Sequence, residues 1–290
     1  MSAELFLGVD GGASRSRARI RDAAGRLLGE GQAGPANTRL GLAPTLREVV
    51  TAARQAAEAA GLGEDLGRLH AGLGIAGATG PEEIALILAQ PLPFASVAAD
   101  SDAYAAWLGA CGGRDGAILI VGTGSCGLAV VGGRRVNVGG WGDIISDDGS
   151  GNAMGRALLR RALWSLEGLA PPSPLADVVL NRFGRDPEQM LNWAMGATKT
   201  DFARFAPLVF EHAGKGDPLG LALVEEAAAH IARMIARLLE SGAPSVALIG
   251  GLAEPLAPYL PAASRRHLVA PLADAADGAI LMARRAREGS

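Results

Sequence analysis

Three short turns that contain glycine are the part of the sequence best suited to binding a phosphate. They occupy residues 8–14, 121–125 and 248–251, and each follows an apolar, strand-like segment. Glycine allows a positive φ angle, and because it has no Cβ it lets backbone N–H groups approach an anion closely. Any one of these turns alone would be typical of an ordinary hairpin, whereas three of them in the same context predict a phosphate-binding site.

Side chains within these turns add groups that suit a nucleotide and its metal ion. The hydroxyls of Ser14, Thr123 and Ser125 can donate hydrogen bonds to phosphate oxygens. Asp10 would repel a phosphate directly, so the role that its carboxylate predicts is to hold Mg²⁺, directly or through water. The turns therefore predict a site for a nucleotide with its divalent cation.

The connections at the first two turns exclude the commonest nucleotide-binding motifs. The sequence contains no GxxxxGK[ST] of a Walker A loop, and no GxGxxG that follows a strand and opens a helix. Both turns instead join one predicted strand to another. This arrangement predicts two hairpins that hold a phosphate between them.

A carboxylate at the start of a predicted helix is the candidate general base. Asp102 follows a predicted strand at 95–99 and precedes a predicted helix at 103–108, so its side chain lies at a strand-to-helix edge. Capping that helix is the simpler role, and Asp100, Ser101 or Asp102 could fill it. The pattern favours Asp102 as the base and leaves Asp100 as its rival.

A second pair of carboxylates, Asp147 and Asp148, precedes a predicted helix that begins near Ser150. Acidic residues are common in such positions because they interact favourably with the positive end of the helix dipole. Sugar binding and a purely structural role at the helix end remain alternatives for them.

Hydrophobic patterning predicts the elements that must position these residues. Apolar residues recur at helical spacing between 221 and 238, which predicts an amphipathic helix in a part of the chain that is mainly helical after residue 150. Strands are predicted at 5–9, 16–20, 26–30, 70–76, 95–99, 117–121, 127–131, 135–138 and 245–249, and further helices at 44–60, 81–89, 103–108 and 277–287. The chain is therefore predicted to be an α/β protein.

Composition limits the class of protein and its partners. A length of 290 residues is long for one compact core and favours two lobes. The formal charge of -3 gives no general attraction to nucleic acid or to anionic membranes, and no apolar stretch approaches the length of a membrane span. Cys111 and Cys126 lack metal-ligand spacing and are expected to be reduced thiols. We expect a cytoplasmic protein without a nucleic-acid or membrane partner.

Several segments of the sequence together resemble a known family. They are GPANTRLG (34–41), ADSDAYAAWLGA (99–110), LIVGTGSCG (119–127), GGWGDIISDDGSG (139–151), KGDPL (215–219) and IGGLAEPL (249–256). The chain resembles the N-acetylglucosamine kinase and glucosamine kinase group of the BadF/BadG-type ATPase family, within the actin/hexokinase/Hsp70 superfamily. The resemblance runs nearly from end to end and is most specific between residues 102 and 151.

The resemblance implies a fold and a division of the chain. It implies a two-lobed α/β, actin/hexokinase-like (ribonuclease H-like) fold with the active site in the cleft between the lobes. The expected lobes are residues 1–110, with the first phosphate hairpin and part of the sugar site, and residues 111–290, with the second hairpin and the adenosine motif. The terminal helix is expected to pack back toward the N-terminal lobe.

The resemblance also implies a role for individual residues. Asp10 corresponds to the metal ligand and Asp102 to the catalytic carboxylate. The residues expected to bind ATP are Gly11, Gly12, Ser14, Gly122, Thr123, Gly216, Gly250 and Gly251. The residues expected to contact the sugar are Asn37, Asp102, Ser125, Cys126, Gly140, Trp141, Gly142 and Asp147.

The implied activity is an ATP-dependent and Mg²⁺-dependent transfer of a phosphoryl group to the 6-hydroxyl of N-acetylglucosamine or glucosamine. Whether the acceptor is acetylated stays open, and the resemblance further suggests a homodimer. Two other functions remain as alternatives: an ATPase activator of a dehydratase or reductase, and a sugar-sensing regulator without catalysis. The first would need cysteines placed to hold an iron–sulfur cluster.

Overall fold

The computed structural model describes residues 4–63 and 65–289. These residues form two compact units. The first comprises the described residues up to Ile118 together with those from Ala270 onward, and the second comprises Leu119–Val269. Because both units contain a five-stranded sheet and helices, the α/β class predicted from the sequence is confirmed. The lobe boundary after residue 110 stays a prediction.

In the described part of the chain the two sheets contain ten strands. These are β1 Leu5–Gly11, β2 Ser16–Asp22, β3 Leu27–Ala33, β4 Leu69–Ile75, β5 Ser96–Ser101, β6 Gly116–Val121, β7 Ser125–Val131, β8 Arg134–Gly139, β9 Val246–Ile249 and β10 Leu268–Val269. The spatial order is β3-β2-β1-β4-β5 in one sheet and β10-β9-β6-β7-β8 in the other. β10 has only two residues and is the one of these strands that the sequence pattern did not predict.

Twelve α-helices are found among the described residues. They are α1 Leu42–Ala59, α2 Pro81–Leu88, α3 Asp102–Cys111, α4 Gly151–Leu166, α5 Pro174–Arg182, α6 Pro187–Gly196, α7 Lys199–Ala203, α8 Ala206–Gly214, α9 Pro218–Glu240, α10 Ala253–Leu256, α11 Ala262–Arg265 and α12 Ala275–Glu288. Three short 3₁₀ helices occupy Thr38–Leu40, Leu66–Arg68 and Ala257–Tyr259. Within the described ranges, no helix is both long and apolar enough to cross a membrane.

The first sheet brings the carboxyl ends of three strands to one edge. β1 pairs antiparallel with β2 and parallel with β4, and β4 pairs parallel with β5. In this register Gly11 lies opposite Ile75, and Ile75 lies opposite Ser101. Neighbouring strands are about 4.8 Å apart. The residues that follow these three strands are therefore neighbours in space.

The two faces of this sheet pack differently. Alternate apolar residues such as Leu7 and Ile20 form a core with α1. On the other face, a Cβ at Gly8 would lie 2.0 Å from the Ala276 carbonyl oxygen, and a Cβ at Gly72 would lie 1.8 Å from that of Ala279. Glycine at these positions therefore lets α12 approach the backbone of the sheet.

The second unit combines its sheet with the long helix α9. The apolar side chains predicted to lie on one face of this helix, such as Ile231, Ile235 and Leu238, are buried. α9 contacts β7, β8 and β9, and it also contacts α4, α5 and α8. The predicted amphipathic helix is confirmed, and the mainly helical character of the chain after residue 150 is confirmed as well.

Candidate active site

The edge formed by β1, β4 and β5 brings several predicted site residues together. The Ala76 N–H donates to the Gly11 carbonyl oxygen at 2.7 Å, and the Ala36 N–H donates to the Gly12 carbonyl oxygen at 3.0 Å. Asn37 forms a parallel bridge with Ala76. These contacts hold Asn37, a predicted sugar contact, beside the first glycine turn.

Asp10, the predicted metal ligand, is paired with an arginine. Its Oδ2 accepts hydrogen bonds from Arg17 Nη2 at 2.7 Å and Nε at 3.2 Å. The pairing follows from the hairpin, because Asp10 lies opposite Arg17 in the antiparallel register of β1 and β2. The sequence reasoning missed Arg17, although its alternation with Ala18 already placed it on the face away from the α1 core.

Asp102 lies at the first position of α3 and is half-buried. The cap of this helix is Ser101, whose Oγ accepts from the Tyr104 N–H at 3.1 Å. Asp102 Oδ1 accepts from the Ala103 N–H at 2.9 Å. Because Ser101 is the cap, the capping alternative does not account for the Asp102 carboxylate.

The surroundings of Asp102 favour its neutral form. Burial away from water is the largest cause, and with the nearby Asp10 carboxylate it raises the pKa of the Asp102 carboxyl from 3.8 to about 6. The Ala103 N–H opposes this effect because it stabilises the charged form. A carboxyl with such a pKa is still mainly ionised at neutral pH and can accept a proton.

Asp100, the rival base, lies on β5 two residues before Asp102. It is opposite Gly74 in the sheet, and its Oδ1 accepts from the Ser101 N–H at 2.8 Å. Asp10 is opposite Gly74 on the other side, so Asp10 and Asp100 point to the same face two strands apart. Both carboxylates therefore belong to the same sheet edge as Asp102.

The glycines of the first turn do not use the positive φ that glycine allows. Neither Gly11 nor Gly12 adopts it. Gly11 is closely packed, because a Cβ there would lie 2.9 Å from Ile75 Cδ1 and 3.1 Å from Ala36 Cβ. Ser14 in this turn is exposed.

The second glycine turn lies against the start of α4. The Gly151 N–H donates to the Gly122 carbonyl oxygen at 2.8 Å, and the Asn152 N–H donates to that of Thr123 at 3.2 Å. Gly122 and Gly124 do not adopt a positive φ either. A Cβ at Gly124 would lie 2.8 Å from Asp147 Oδ2, so the turn needs glycine for this close approach.

Asp147 is buried and forms a hydrogen bond with the second glycine turn. It is 5% exposed, and its φ of 66° is unusual for a residue other than glycine. Its Oδ1 accepts from the Ser125 N–H at 3.3 Å, while the Ser125 hydroxyl donates to the Asp148 carbonyl oxygen at 2.8 Å. Ser150 caps α4. The strained backbone and the buried carboxylate argue against a simple helix-end role for Asp147.

The third glycine turn lies beside the second. The Leu252 N–H donates to the Val121 carbonyl oxygen at 3.0 Å. Gly250 has a positive φ of 102°, which glycine allows, and a Cβ there would lie 2.4 Å from that same oxygen. The predicted nucleotide turns of the second unit are therefore brought together.

The remaining predicted sugar contacts occupy the loop after β8. Gly140 packs on Cys126, since its Cβ would lie 2.8 Å from Cys126 Sγ. Gly140 and Gly142 both have positive φ angles. Trp141 between them is 63% exposed, so its ring is not part of the core.

Gly216 lies in the turn between α8 and α9, with a φ of 79°. The next residue, Asp217, is buried and caps α9 through the N–H groups of Leu219 and Gly220. It also accepts from the Leu175 N–H at 2.9 Å and from the Ser173 hydroxyl at 3.0 Å. Asp217 thus fixes the starts of both α5 and α9, a role that the sequence signalled only through the Asp-Pro pair.

Comparison with known proteins identifies the family to which this chain is similar. Residues 7–283 match the model of the BadF/BadG/BcrA/BcrD ATPase family. The chain is 41% identical over 279 residues to glucosamine kinase GspK of Vibrio cholerae, covering 96% of this chain and 95% of that one.

Solved structures agree with this match. A protein from Chromobacterium violaceum, provisionally described as an N-acetylglucosamine kinase, has a TM-score of 0.90 and 33% identity, covering 98% of this chain and 100% of that one. A ROK family glucokinase from Streptomyces griseus, solved with glucose and AMPPNP, covers 98% of this chain and 100% of its own, with a TM-score of 0.58 and 20% identity, and so supports the fold alone. The hexokinase-like α/β fold is confirmed, and the chain belongs to the BadF/BadG/BcrA/BcrD ATPase family.

Proposed function

We propose that this protein is an ATP-dependent kinase that phosphorylates the 6-hydroxyl of an amino sugar, glucosamine or N-acetylglucosamine. Two findings support the proposal: membership of an ATPase family, and 41% identity to a protein named glucosamine kinase. The observation that carries it is Asp102. This residue is a half-buried carboxylate with a raised pKa, at the edge of a sheet where the first glycine turn also lies.

Asp102 is the catalytic base in this proposal. Its carboxylate accepts the proton of the sugar 6-hydroxyl as that oxygen forms a bond to the γ-phosphorus of ATP. The bond between the γ-phosphorus and the β–γ bridging oxygen breaks, and ADP leaves with the electron pair. Phosphoryl transfer depends mainly on positioning and on neutralising charge. Asp102 therefore needs only to orient and deprotonate the hydroxyl.

The glycine turns contact the nucleotide in this proposal. Backbone N–H groups and the hydroxyls of Ser14 and Thr123 donate to phosphate oxygens. The residues proposed to lie along the rest of the nucleotide are Gly11, Gly12, Gly122, Gly216, Gly250 and Gly251. Because glycine has no Cβ, a phosphate or an adenosine can approach the backbone closely at these positions.

The residues present fit a Mg²⁺ ion bound with ATP. Among the described residues no group of three or more His, Cys, Asp or Glu side chains comes together. Asp10 supplies one carboxylate whose side chain is 19% exposed. One carboxylate combined with phosphate oxygens and waters is the usual way in which proteins bind Mg²⁺. When bound, the ion would neutralise the charge of the β- and γ-phosphates.

Asp10→Asn tests this assignment. We expect the variant to need a higher Mg²⁺ concentration for half-maximal rate, because a neutral amide is a weaker ligand than a carboxylate. Sugar affinity, measured by calorimetry in the absence of ATP, should be nearly unchanged. An unaltered Mg²⁺ dependence of the rate would remove Asp10 from the site.

The residues proposed to contact the sugar are Asn37, Asp102, Ser125, Cys126, Gly140, Trp141, Gly142 and Asp147. Amide and carboxylate oxygens accept from sugar hydroxyls, and the exposed indole of Trp141 offers a flat apolar surface to the ring. We further propose that the protein is a cytoplasmic homodimer, which light scattering of the purified protein would test.

A coupled assay of ADP release across glucose, glucosamine, N-acetylglucosamine and N-acetylmannosamine tests the function. We expect turnover with an amino sugar that far exceeds the rate without any sugar. ADP release that does not depend on sugar would favour an ATPase activator, and iron bound to the purified protein would be its second signature. Sugar binding without turnover would favour a regulator. Either result would overturn the proposed kinase function.

A further inference from the structure

A cavity in the first unit has no role in the proposal so far. It has a volume of about 420 Å³, within the range that small-molecule sites occupy. Its walls combine two hydroxyls, one acid, one base and two apolar side chains. These belong to Thr38, Thr79, Glu83, Arg39, Leu42 and Leu86.

The cavity adjoins Asn37, the amide that we propose contacts the sugar. Gly77 lines the cavity and has a φ of 83°. A Cβ at Gly77 would lie 2.8 Å from Asn37 Oδ1 and 2.5 Å from Thr38 Oγ1. The Thr38 N–H also donates to the Ala76 carbonyl oxygen at 3.0 Å. The cavity therefore opens where the loop after β4 meets the segment that carries Asn37.

The carboxylate of Glu83 is the distinctive group in this cavity. Glu83 is half-buried, and among the described residues its carboxylate has neither an ion pair nor a hydrogen bond. The side chain folds back over Gly80, where a Cβ would lie 2.7 Å from Glu83 Oε2. Glu82, its neighbour in the first turn of α2, is exposed and does not line the cavity. An unpaired, half-buried carboxylate favours binding of a cation.

We propose that Glu83 binds the 2-ammonium group of glucosamine and so selects the free amino sugar over its N-acetylated form. This assignment rests on the proposed kinase function. Acetylation replaces the cation with a bulkier neutral amide, and the carboxylate would then lose its partner on binding. The hydroxyls of Thr38 and Thr79 offer partners for the neighbouring sugar hydroxyls, and Leu42 and Leu86 offer an apolar surface to the ring.

Arg39 lines the same cavity, and its positive charge would repel an ammonium group. Because Arg39 is exposed and Glu83 is half-buried, solvent screens this repulsion more strongly than it screens the attraction by the carboxylate. A hydroxyl at position 2 gains no charge–charge attraction from Glu83. Discrimination between glucosamine and glucose therefore depends on Glu83, since these two sugars differ only at position 2.

The test compares kcat/KM for glucosamine, N-acetylglucosamine and glucose in wild type, Glu83→Gln and Glu82→Gln. The second variant is the matched control, because it removes the same charge from the same helix turn outside the cavity. We expect Glu83→Gln to lower kcat/KM for glucosamine by about tenfold. The value of kcat/KM for glucose should stay within about twofold of that of wild type. In Glu82→Gln, kcat/KM for each of the three sugars should stay within about twofold of the wild-type value.

The failures of the two proposals are distinguishable. The role of Glu83 would be overturned if the wild type phosphorylated N-acetylglucosamine in preference to glucosamine. It would also be overturned if Glu83→Gln kept the wild-type preference. Neither result would contradict the proposed kinase function. An equal loss for glucosamine and glucose would likewise overturn the role of Glu83 alone. Calorimetry of glucosamine binding needs no turnover, and equal affinities of wild type and Glu83→Gln would overturn the role even if no sugar were phosphorylated.

Discussion

The two units hold their candidate site residues in opposite ways. In the first unit, Ser14 is exposed and Asp102 is a half-buried carboxylate with a pKa of about 6. In the second unit, Ser125 and Asp147 are buried and are tied to the backbone of the glycine turn and of its neighbouring loop. Ser14 and Asp102 therefore stay partly accessible to a ligand, whereas Ser125 and Asp147 fix the shape of the chain.

This contrast has an energetic meaning. A carboxyl whose pKa is raised by folding destabilises the folded state once it is ionised, and such destabilised groups are common at reactive sites. A buried hydrogen-bonded carboxylate instead stabilises the backbone around it. Substitutions in the first unit should therefore change activity more than stability, and those in the second unit should change both.

The largest effect is expected for Asp102→Asn. Loss of the base should lower kcat by roughly 10²–10⁴-fold, while ATP affinity stays near that of wild type. The variant should also be more stable at pH 7.5, by roughly 1–3 kcal/mol, because the neutral amide avoids the cost of a desolvated charge. Steady-state kinetics and urea unfolding measure the two quantities. Asp100→Asn is the matched control and should keep a substantial rate.

The pH dependence of the wild type checks the same residue. Because folding raises the pKa of Asp102, its contribution to stability is fully present below pH about 3.8 and is lost as the pH rises through about 6. The rate behaves in the opposite way, since kcat/KM should fall as the pH drops below about 6. A near wild-type rate in Asp102→Asn would make Asp100 the candidate base.

The rigidity of the second unit is tested most directly at Gly250. Alanine there would have an unfavourable φ near 102° and a Cβ against the Val121 carbonyl oxygen. We expect Gly250→Ala to lower the free energy of unfolding by at least about 2 kcal/mol. Gly251→Ala is the control, since its Cβ would meet no atom within 4 Å. It should leave stability within about 0.5 kcal/mol and change only ATP affinity. Equal stability of the two variants would contradict the constraint that we assign to the backbone of the second unit at Gly250.

Two substitutions of Asp147 separate its structural role from its proposed sugar contact. Asp147→Asn keeps an acceptor for the Ser125 N–H and tolerates a positive φ, so the variant should be nearly as stable as wild type. Its sugar affinity should fall by about 2 kcal/mol, because a charged hydrogen bond to a hydroxyl is lost. Asp147→Ala should lose a similar amount of stability as well. Calorimetry with the preferred sugar decides between the roles, and wild-type affinity in Asp147→Asn would leave the residue purely structural.

The smallest effects distinguish the serines of the two turns. Ser14→Ala should leave the free energy of unfolding within about 0.5 kcal/mol, because the side chain is exposed, and should weaken ATP binding by about 1 kcal/mol. Ser125→Ala should instead lower stability by about 1 kcal/mol, since its buried hydroxyl donates to the Asp148 carbonyl oxygen. Thermal unfolding with and without ATP measures both. An equal loss of stability in the two variants would mean that the first turn is as constrained as the second.

Much of the fold could be predicted from local patterns. A continuous apolar segment located β1, and alternation of apolar and polar residues located β2. The spacing of Ile231, Ile235 and Leu238 located α9, because alternation and helical spacing both reflect burial of one face. The glycine turns were recognisable as sites of close approach. In the structure Gly11 and Gly124 make room for neighbouring atoms and do not adopt a positive φ, whereas Gly250 does adopt one.

The rest depends on contacts between segments that are far apart in sequence. The pairing of Arg17 with Asp10 needs the register of the hairpin, and the raised pKa of Asp102 needs its burial and the nearness of Asp10. Glu83 lies among ordinary first-turn residues of a helix, so only the cavity distinguishes it from Glu82. Helices α5 to α8 have short, weakly periodic sequences, and their limits depend on packing.

The packing of α12 determines when the chain can fold during synthesis. The first unit contains nearly all residues up to Ile118, but the face that carries Gly8 and Gly72 is covered by residues 275–288. A ribosome adds roughly 5–20 residues per second, so α12 is synthesised many seconds after the strands that it covers. The second unit is continuous in sequence and can be completed earlier. The first part of the protein to emerge is therefore the last to finish folding, and a chain that stops before α12 leaves that face uncovered.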